Sequence, residues 1–177
     1  PYVATTLVNL GSTLAEHGAL ARAQPYFERA LKLRRSLYPP ENRSVVDVLF
    51  NLALLEGLQR HHAAALAKLE QVAAAYAKSL GADHSDLIDV WLAVGEELGH
   101  LGRTRDAVAP LERALALAQT SAVDPVLVAD TRFALARVLG PSARARTLAR
   151  QATTAYQAAG ARAQDKLAAV TAWLAKP

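Results

Sequence analysis

A repeat of 42 residues constrains this chain more than any other feature. Asn9-Leu10-Gly11 returns as Asn51-Leu52-Ala53 and again as Ala93-Val94-Gly95, displaced by 42 positions each time (51 − 9 and 93 − 51). The same displacement carries Ala23 to Ala65 and Ala107, Phe27 to Leu69 and Leu111, Glu28 to Glu70 and Glu112, and Ala30 to Val72 and Ala114. Self-similarity at a fixed stride of this length marks an array in which each unit buries its apolar face against its neighbours.

Each unit holds two stretches with apolar residues at helical spacing, such as Leu7, Leu10 and Leu14 followed by Ala23, Phe27, Ala30 and Leu31. The turns His17-Gly18, Arg60-His61 and Gly102-Arg103 separate the two helices, and Gly18 and Gly102 fall where a left-handed residue closes a helix. Between units, Tyr38 to Asn42, Gly81 to Ser85 and Ser121 to Pro125 combine Gly or Pro with capping side chains; Asp83, His84 and Ser85 read as the cap of the following helix. Expected helices cover 3–17, 20–37, 43–59, 62–80, 85–100, 103–120, 126–139, 142–159 and 162–175. The fourth unit is degenerate: Ala145 and Ala152 keep the spacing of Ala23 and Ala30, but Gly140-Pro141 cuts its first helix short. The stripe Leu167, Val170, Trp173 and Leu174 suits a helix that covers the end of the stack.

The expected organisation is one domain over 1–177, with units at about 3–42, 43–84, 85–124 and 125–160 and a capping helix over 161–177. The chain opens at Pro1 inside a helical pattern and has no methionine, so it is expected to be part of a longer protein. Paired helices approach to about 8–10 Å only where side chains are small. Gly11, Ala53 and Gly95, set against Ala23, Ala65 and Ala107, meet that need, with large neighbours such as Leu10 and Phe27 filling the gaps between hairpins.

Composition removes several function classes. Cysteine is absent, which excludes disulfides, thiolate zinc sites and cysteine nucleophiles. No apolar run approaches the ~20 residues of a membrane span, and no signal sequence opens the chain. Fifteen arginines to five lysines, among many alanines, suggest a high-GC bacterial source. The net charge of +4 divides into −2 over residues 1–100 (9 basic, 11 acidic) and +6 over 101–177 (11 basic, 5 acidic).

The strings Val8-Asn9-Leu10-Gly11, Asn51-Leu52-Ala53-Leu54-Leu55, Ala23-Gln24-Pro25-Tyr26-Phe27-Glu28-Arg29-Ala30-Leu31 and Leu80-Gly81-Ala82-Asp83-His84-Ser85 resemble the tetratricopeptide repeat. The 42-residue stride resembles the kinesin-light-chain variety of that repeat, over residues 3 to about 159. The resemblance implies an all-α fold, a right-handed α-α superhelix of about four hairpins plus a C-terminal capping helix, whose first helices line a groove for a protein or peptide. It implies a scaffold or regulatory role with no catalysis in this segment. A second resemblance, through Arg144-Ala145-Arg146-Thr147-Leu148-Ala149 and Ala172-Trp173-Leu174-Ala175-Lys176, is to the C-termini of large bacterial serine/threonine kinases. It implies a cytoplasmic signalling protein, with membrane anchoring of the parent left open; the kinase motifs themselves are not in these residues.

In the repeat family, an asparagine two residues before the small residue of the first helix bonds the backbone of a bound peptide. Asn9 and Asn51 hold that position here, and Ala93 ends the ladder after two rungs. The same face presents Thr5, Asp47 and Asp89, then Val8, Phe50 and Leu92, then Ser12, Leu54 and Glu96. An acidic floor of Asp47, Asp89 and Glu96 with apolar pockets at Phe50 and Leu54 is expected to take a segment bearing basic and apolar side chains. Family members that clamp a C-terminal carboxylate carry Lys or Arg where this chain has Thr5 and Asp47, which argues against that clamp.

Other chemistry is thin. Glu97-x-x-His100 has the spacing of half a di-iron site, but no second pair accompanies it, and neither a metal nor a cofactor is expected. His61 and His62 fall in a turn and read as solvated. A nucleic-acid surface through Arg103, Arg105, Arg137, Arg144, Arg146 and Arg150 is the alternative of another class, but interleaved aromatics are lacking because Phe133 and Tyr156 fit core spacing. Self-association as a scaffold is a third reading, with the oligomeric state left open.

Overall fold

In the computed structural model, which describes residues 2–176, every regular element is helical among the described residues. The helices are α1 (Tyr2–Glu16), α2 (Leu20–Arg35), α3 (Arg43–Leu58), α4 (His62–Leu80), α5 (Leu87–His100), α6 (Thr104–Thr120), α7 (Pro125–Leu139), α8 (Ala143–Ala159) and α9 (Gln164–Leu174), with a 3₁₀ turn at Gly160–Ala163 before α9. Consecutive helices pack as hairpins, α1 on α2, α3 on α4, α5 on α6 and α7 on α8, and each second helix packs on the first helix of the following hairpin. α9 lies on α8. The result is the expected right-handed α-α solenoid.

Local chemistry sets the boundaries. Asn42, Asp124 and Ser142 each accept a hydrogen bond from the backbone of the following turn, from Ser44, Val126 and Ala145 at 2.9, 2.9 and 3.2 Å. The expected cap of α5 differs: Ser85 does not cap, and the helix starts at Leu87 without a side-chain cap bond from Asp86. Asp86 instead pairs with Arg43 of the preceding unit at 2.6 Å, and its backbone N–H donates to His84 Nδ1 at 3.2 Å. A carboxylate drawn to a neighbouring unit is not available to its own helix.

The turns inside the first three hairpins share one left-handed residue, Gly18 (φ 74°), Arg60 (φ 66°) and Gly102 (φ 72°). Arg60 is the exception in chemistry, because a side chain in this region costs roughly 1–2 kcal/mol that glycine avoids. Arg60→Gly is expected to stabilise the chain by about 0.5–1 kcal/mol after the added freedom of the unfolded chain is set against it, a rise of about 1–4 °C in melting temperature read by calorimetry. A lower melting temperature would show that Arg60 makes a contact worth more than the strain.

The core follows the stack. One cluster joins α1, α2 and α3 through Leu7, Phe27, Val45, Val48 and Leu52, and the next two join α3 to α7 through residues such as Leu69, Val90, Leu111 and Leu135. A fourth, rich in alanine, joins α7, α8 and α9 around Tyr156 and Val170. Two readings of the small residues change. A Cβ on Gly11 would meet the Phe27 ring at 3.0 Å, and one on Gly95 would overlap Leu111 Cγ. The glycines are therefore required by the large residue one turn beyond Ala23 and Ala107, not by those alanines. Leu10, expected to fill a gap between hairpins, is 42% exposed because no hairpin precedes it in the structure.

Candidate peptide-binding groove

First helices touch one another along the stack, α1 with α3, α3 with α5 and α5 with α7, whereas no pair of second helices makes contact of comparable extent. A stack whose members are closer on one side curves toward it, so the first helices form the inner wall. The residues singled out in the sequence stand on these helices in columns. The stride is 42 as far as α5 and 41 from α5 to α7, so Asp89, Leu92, Ala93 and Glu96 continue as Asp130, Phe133, Ala134 and Arg137.

Apart from Asp47 and Glu96, the predicted site residues divide into three groups. Ser12, Asn51 and Leu54 line one depression of about 210 Å³ between α1 and α3, together with Glu16 and Leu58. Val8, Phe50 and Leu92 are half-buried and pack their inner sides on the core. Thr5, Asn9 and Asp89 are exposed. Asn51 Nδ2 donates to the Asp47 carbonyl oxygen one turn back at 2.8 Å, which leaves its Oδ1 and one N–H for a guest.

The expected acidic floor is changed at one end. Asp47 Oδ1 accepts from the Tyr76 hydroxyl of α4 at 2.5 Å, so this half-buried carboxylate holds the hairpin together. Asp130 repeats the arrangement, accepting from Tyr156 at 2.8 Å and from Lys166 of α9 at 2.6 Å. Asp89 has alanine at position 118, where the 42-residue stride from Tyr76 would place a tyrosine, and makes no such bond. Its carboxyl is raised above the usual carboxylate range by desolvation, with Asp130 and Asp86 adding to the effect. Glu96 is raised too, by desolvation first, with Asp130 and Glu97 adding and Arg137 and Lys166 opposing. Glu96 is exposed and lines two adjoining depressions, one with His100 and Val138 and one with Asp130 and Phe133.

Sequence reasoning missed the C-terminal part of this wall. A cavity of about 290 Å³ is lined by Glu96 with Asp130, Phe133, Arg137, Tyr156 and Lys166. Phe133, assigned to the core by its spacing, is half-buried there and meets Trp173 edge to face at 6.3 Å. The signal that would have found these residues is the one-residue shortening of the stride. His62, read as solvated, is also half-buried, with Nδ1 2.7 Å from Glu97 Oε2. Two of the arginines considered for nucleic acid are ion-paired, Arg103 with Asp106 and Arg144 with Glu112, both at 2.8 Å.

Stacked hairpins with small residues at their crossing points and a curved wall of first helices define a tetratricopeptide-type solenoid. Residues 2–78 match the family model described as tetratricopeptide repeat. That match covers the first two hairpins, and the fold as a whole is similar to tetratricopeptide-type solenoids. Among solved structures it is similar to a putative kinesin light chain from Podosopora anserina with nearly identical TPR-like repeats, with a TM-score of 0.65 and 20% identity over 97% of this chain and 94% of that one. It is also similar to BtubC (BKLC) from P. vanneervenii, with a TM-score of 0.71 and 21% identity over 98% of this chain and 66% of that one. No curated protein sequence matches it. As a class, tetratricopeptide repeats are protein-interaction modules and their fold is not catalytic. No helix among the described residues is long and apolar enough to cross a membrane.

Proposed function

We propose that the first-helix wall binds a segment of a partner protein that carries basic and apolar side chains. The observation that carries this reading is the pair of carboxylates at Asp89 and Glu96, both raised by desolvation, with the half-buried Leu92 between them on the same face of α5. A carboxylate kept in such surroundings costs stability, and a cation brought by a guest relieves that cost. Thr5, Val8, Asn9, Ser12, Asn51 and Leu54 complete the wall toward its N-terminal end, with the Asn51 amide aligning a peptide backbone. Asp130, Phe133 and Arg137 extend it.

The array is read as a single domain over 1–177, with α9 as its cap and with units near 3–42, 43–84, 85–124 and 125–160. We place it in a larger bacterial signalling protein of the cytoplasm, such as a serine/threonine kinase; the resemblance of the C-terminal stretches Arg144–Ala149 and Ala172–Lys176 supports that setting.

Two synthetic peptides of equal length test the groove by fluorescence anisotropy, one of alternating arginine and leucine and one of alternating glutamate and leucine. The basic peptide is expected to bind and the acidic one not. Asp89→Asn with Glu96→Gln is expected to weaken the basic peptide about tenfold, on the order of 1.4 kcal/mol. Affinity is expected to fall with pH, because a bound cation favours the ionised carboxylates. The gain is present above their raised values and is lost as pH drops through them. Equal binding of both peptides, or an affinity indifferent to the two substitutions, contradicts the reading.

A further inference from the structure

The outer side of the array carries an opening that the neighbouring gaps lack. Between the second helices α4 and α6, over α5, lies a depression of about 380 Å³. Its floor is Trp91, Val94 and Leu98; Glu70 of α4 and Pro110 and Arg113 of α6 stand at its rims. By helical spacing these floor residues lie on the side of α5 opposite Asp89, Leu92 and Glu96. Hairpins flank the gap on both sides, so it does not owe its opening to a chain end.

The repeat shows why it is open. One unit earlier, Leu98 and Pro110 correspond to Glu56 and Lys68, which bond to each other at 2.7 Å. One unit later, Glu70 corresponds to Glu112, which pairs with Arg144 at 2.8 Å. Arg144 precedes Ala145, the counterpart of Ala107, and so holds the place of Asp106. Both bridges are lost in the middle gap. Leucine and proline cannot pair, and Glu70 and Asp106 carry the same charge, so Asp106 turns to Arg103 at 2.8 Å instead. Glu70 and Arg113 are exposed and make no ion pair among the described residues. The Arg113 guanidinium lies 4.7 Å from the centre of the Trp91 ring and donates to the Ala82 carbonyl at 3.3 Å. The Trp91 indole N–H is buried and has no acceptor, although buried donors are as a rule bonded.

Shape and charge together select the guest. The floor residues recur at helical spacing, and exposed Ala67 and Ala74 on α4 and Ala109 on α6 keep the rims low. Helices approach closely over small residues of this kind. Glu70 calls for a cation and Arg113 for an anion, on opposite flanks of an apolar stripe. A segment of one sign is repelled at one rim.

We propose that the gap between α4 and α6 docks an amphipathic helix of a partner protein. Its apolar stripe lies on Trp91, Val94 and Leu98, with basic residues on the flank toward α4 and acidic residues on the flank toward α6. This site is independent of the inner groove.

A synthetic helix with leucine along one stripe, lysine along one flank and glutamate along the other is the probe, read by Trp91 fluorescence in a chain carrying Trp173→Phe. Saturable binding with a change in Trp91 emission is expected. Pro110→Lys restores the side chain that closes the preceding gap and is expected to abolish binding. The same variant should melt higher than the parent, because a helix interior gains by losing a proline, so the loss of binding is not a loss of fold. Glu70→Lys and Arg113→Glu are each expected to weaken the probe about tenfold, and the double variant to recover most of that loss with the helix reversed in the gap. Asp89→Asn with Glu96→Gln leaves the probe's affinity unchanged, whereas the basic peptide of the inner groove responds to that pair and not to Pro110→Lys. An emission that stays constant up to millimolar probe, binding that survives Pro110→Lys, or a double variant as weak as its two changes summed overturns the proposal. Binding lost with Asp89→Asn and Glu96→Gln assigns the probe to the inner groove, and self-association abolished by Pro110→Lys assigns the gap to a second copy; either result overturns it as well.

Discussion

Leu111→Ala is expected to cost about 2–5 kcal/mol, and adding Gly95→Ala to that variant is expected to return part of the loss. Leu111 is wholly buried in the cluster that joins the second, third and fourth units. Its Cγ occupies the space where a side chain at position 95 would begin. Gly95→Ala alone overfills this space and is expected to cost about 1–3 kcal/mol, against a helix-propensity gain of at most about 1 kcal/mol. In the double variant the methyl at 95 enters the cavity left by the lost leucine atoms, so the two changes couple. Gly99, one turn later on α5, supplies the control, since a Cβ there would meet only Val138 Cγ2 at 3.8 Å. Gly99→Ala is expected to stabilise the chain by up to about 1 kcal/mol. Urea unfolding of the four variants measures the cycle. If the double variant loses the sum of the two single costs, position 95 is small for some other reason.

The same pair of residues shows how far the sequence could be read. The 42-residue stride carries both Gly11 to Gly95 and Phe27 to Leu111, so the existence and order of the hairpins followed from period alone. Which side chain demands the glycine did not follow, because helix spacing places both Ala107 and Leu111 on the facing side and only the packed geometry separates them. The inner wall was legible as far as α5 for a similar reason. A fixed stride extrapolates until a residue is lost, and from α5 to α7 one is, which set Asp130, Phe133 and Arg137 out of register with the pattern. Asp47 was placed on the correct helix but given a free carboxylate. Its bond to Tyr76 joins positions 29 residues apart, on facing helices, and no local pattern announces it. Long-range polar pairing is also what hid the role of His62.

His62→Ala is expected to cost about 1–3 kcal/mol. His62 opens α4, and its Nδ1 lies 2.7 Å from Glu97 Oε2 near the end of α5, with the two side chains only 18% and 13% exposed. The Glu97 carboxylate fills the place left by the missing side chain of Gly57 on α3, where a Cβ would overlap Oε1. Three helices from two units therefore meet at one carboxylate, and removing the imidazole leaves it nearly buried without that partner. His100 stacks on His62 with ring centroids 4.6 Å apart. Its pKa is held below the ordinary histidine value by desolvation first, then by His62, Arg137 and Arg60, with Glu97 opposing. The unfolded chain thus binds this proton more readily than the folded one. Stability is expected to decline as pH falls below about 6.5, the ordinary histidine value, and to level off beneath the lower folded-state value. His100→Phe keeps a ring against His62 but cannot take up the proton, so its stability should fall less between neutral and mildly acid pH than the parent's. Because neighbouring units stabilise one another only through their shared interface, His62→Ala should also broaden thermal unfolding as the first two units separate from the rest. A variant that melts as sharply and as high as the parent would show that the carboxylate holds no such joint.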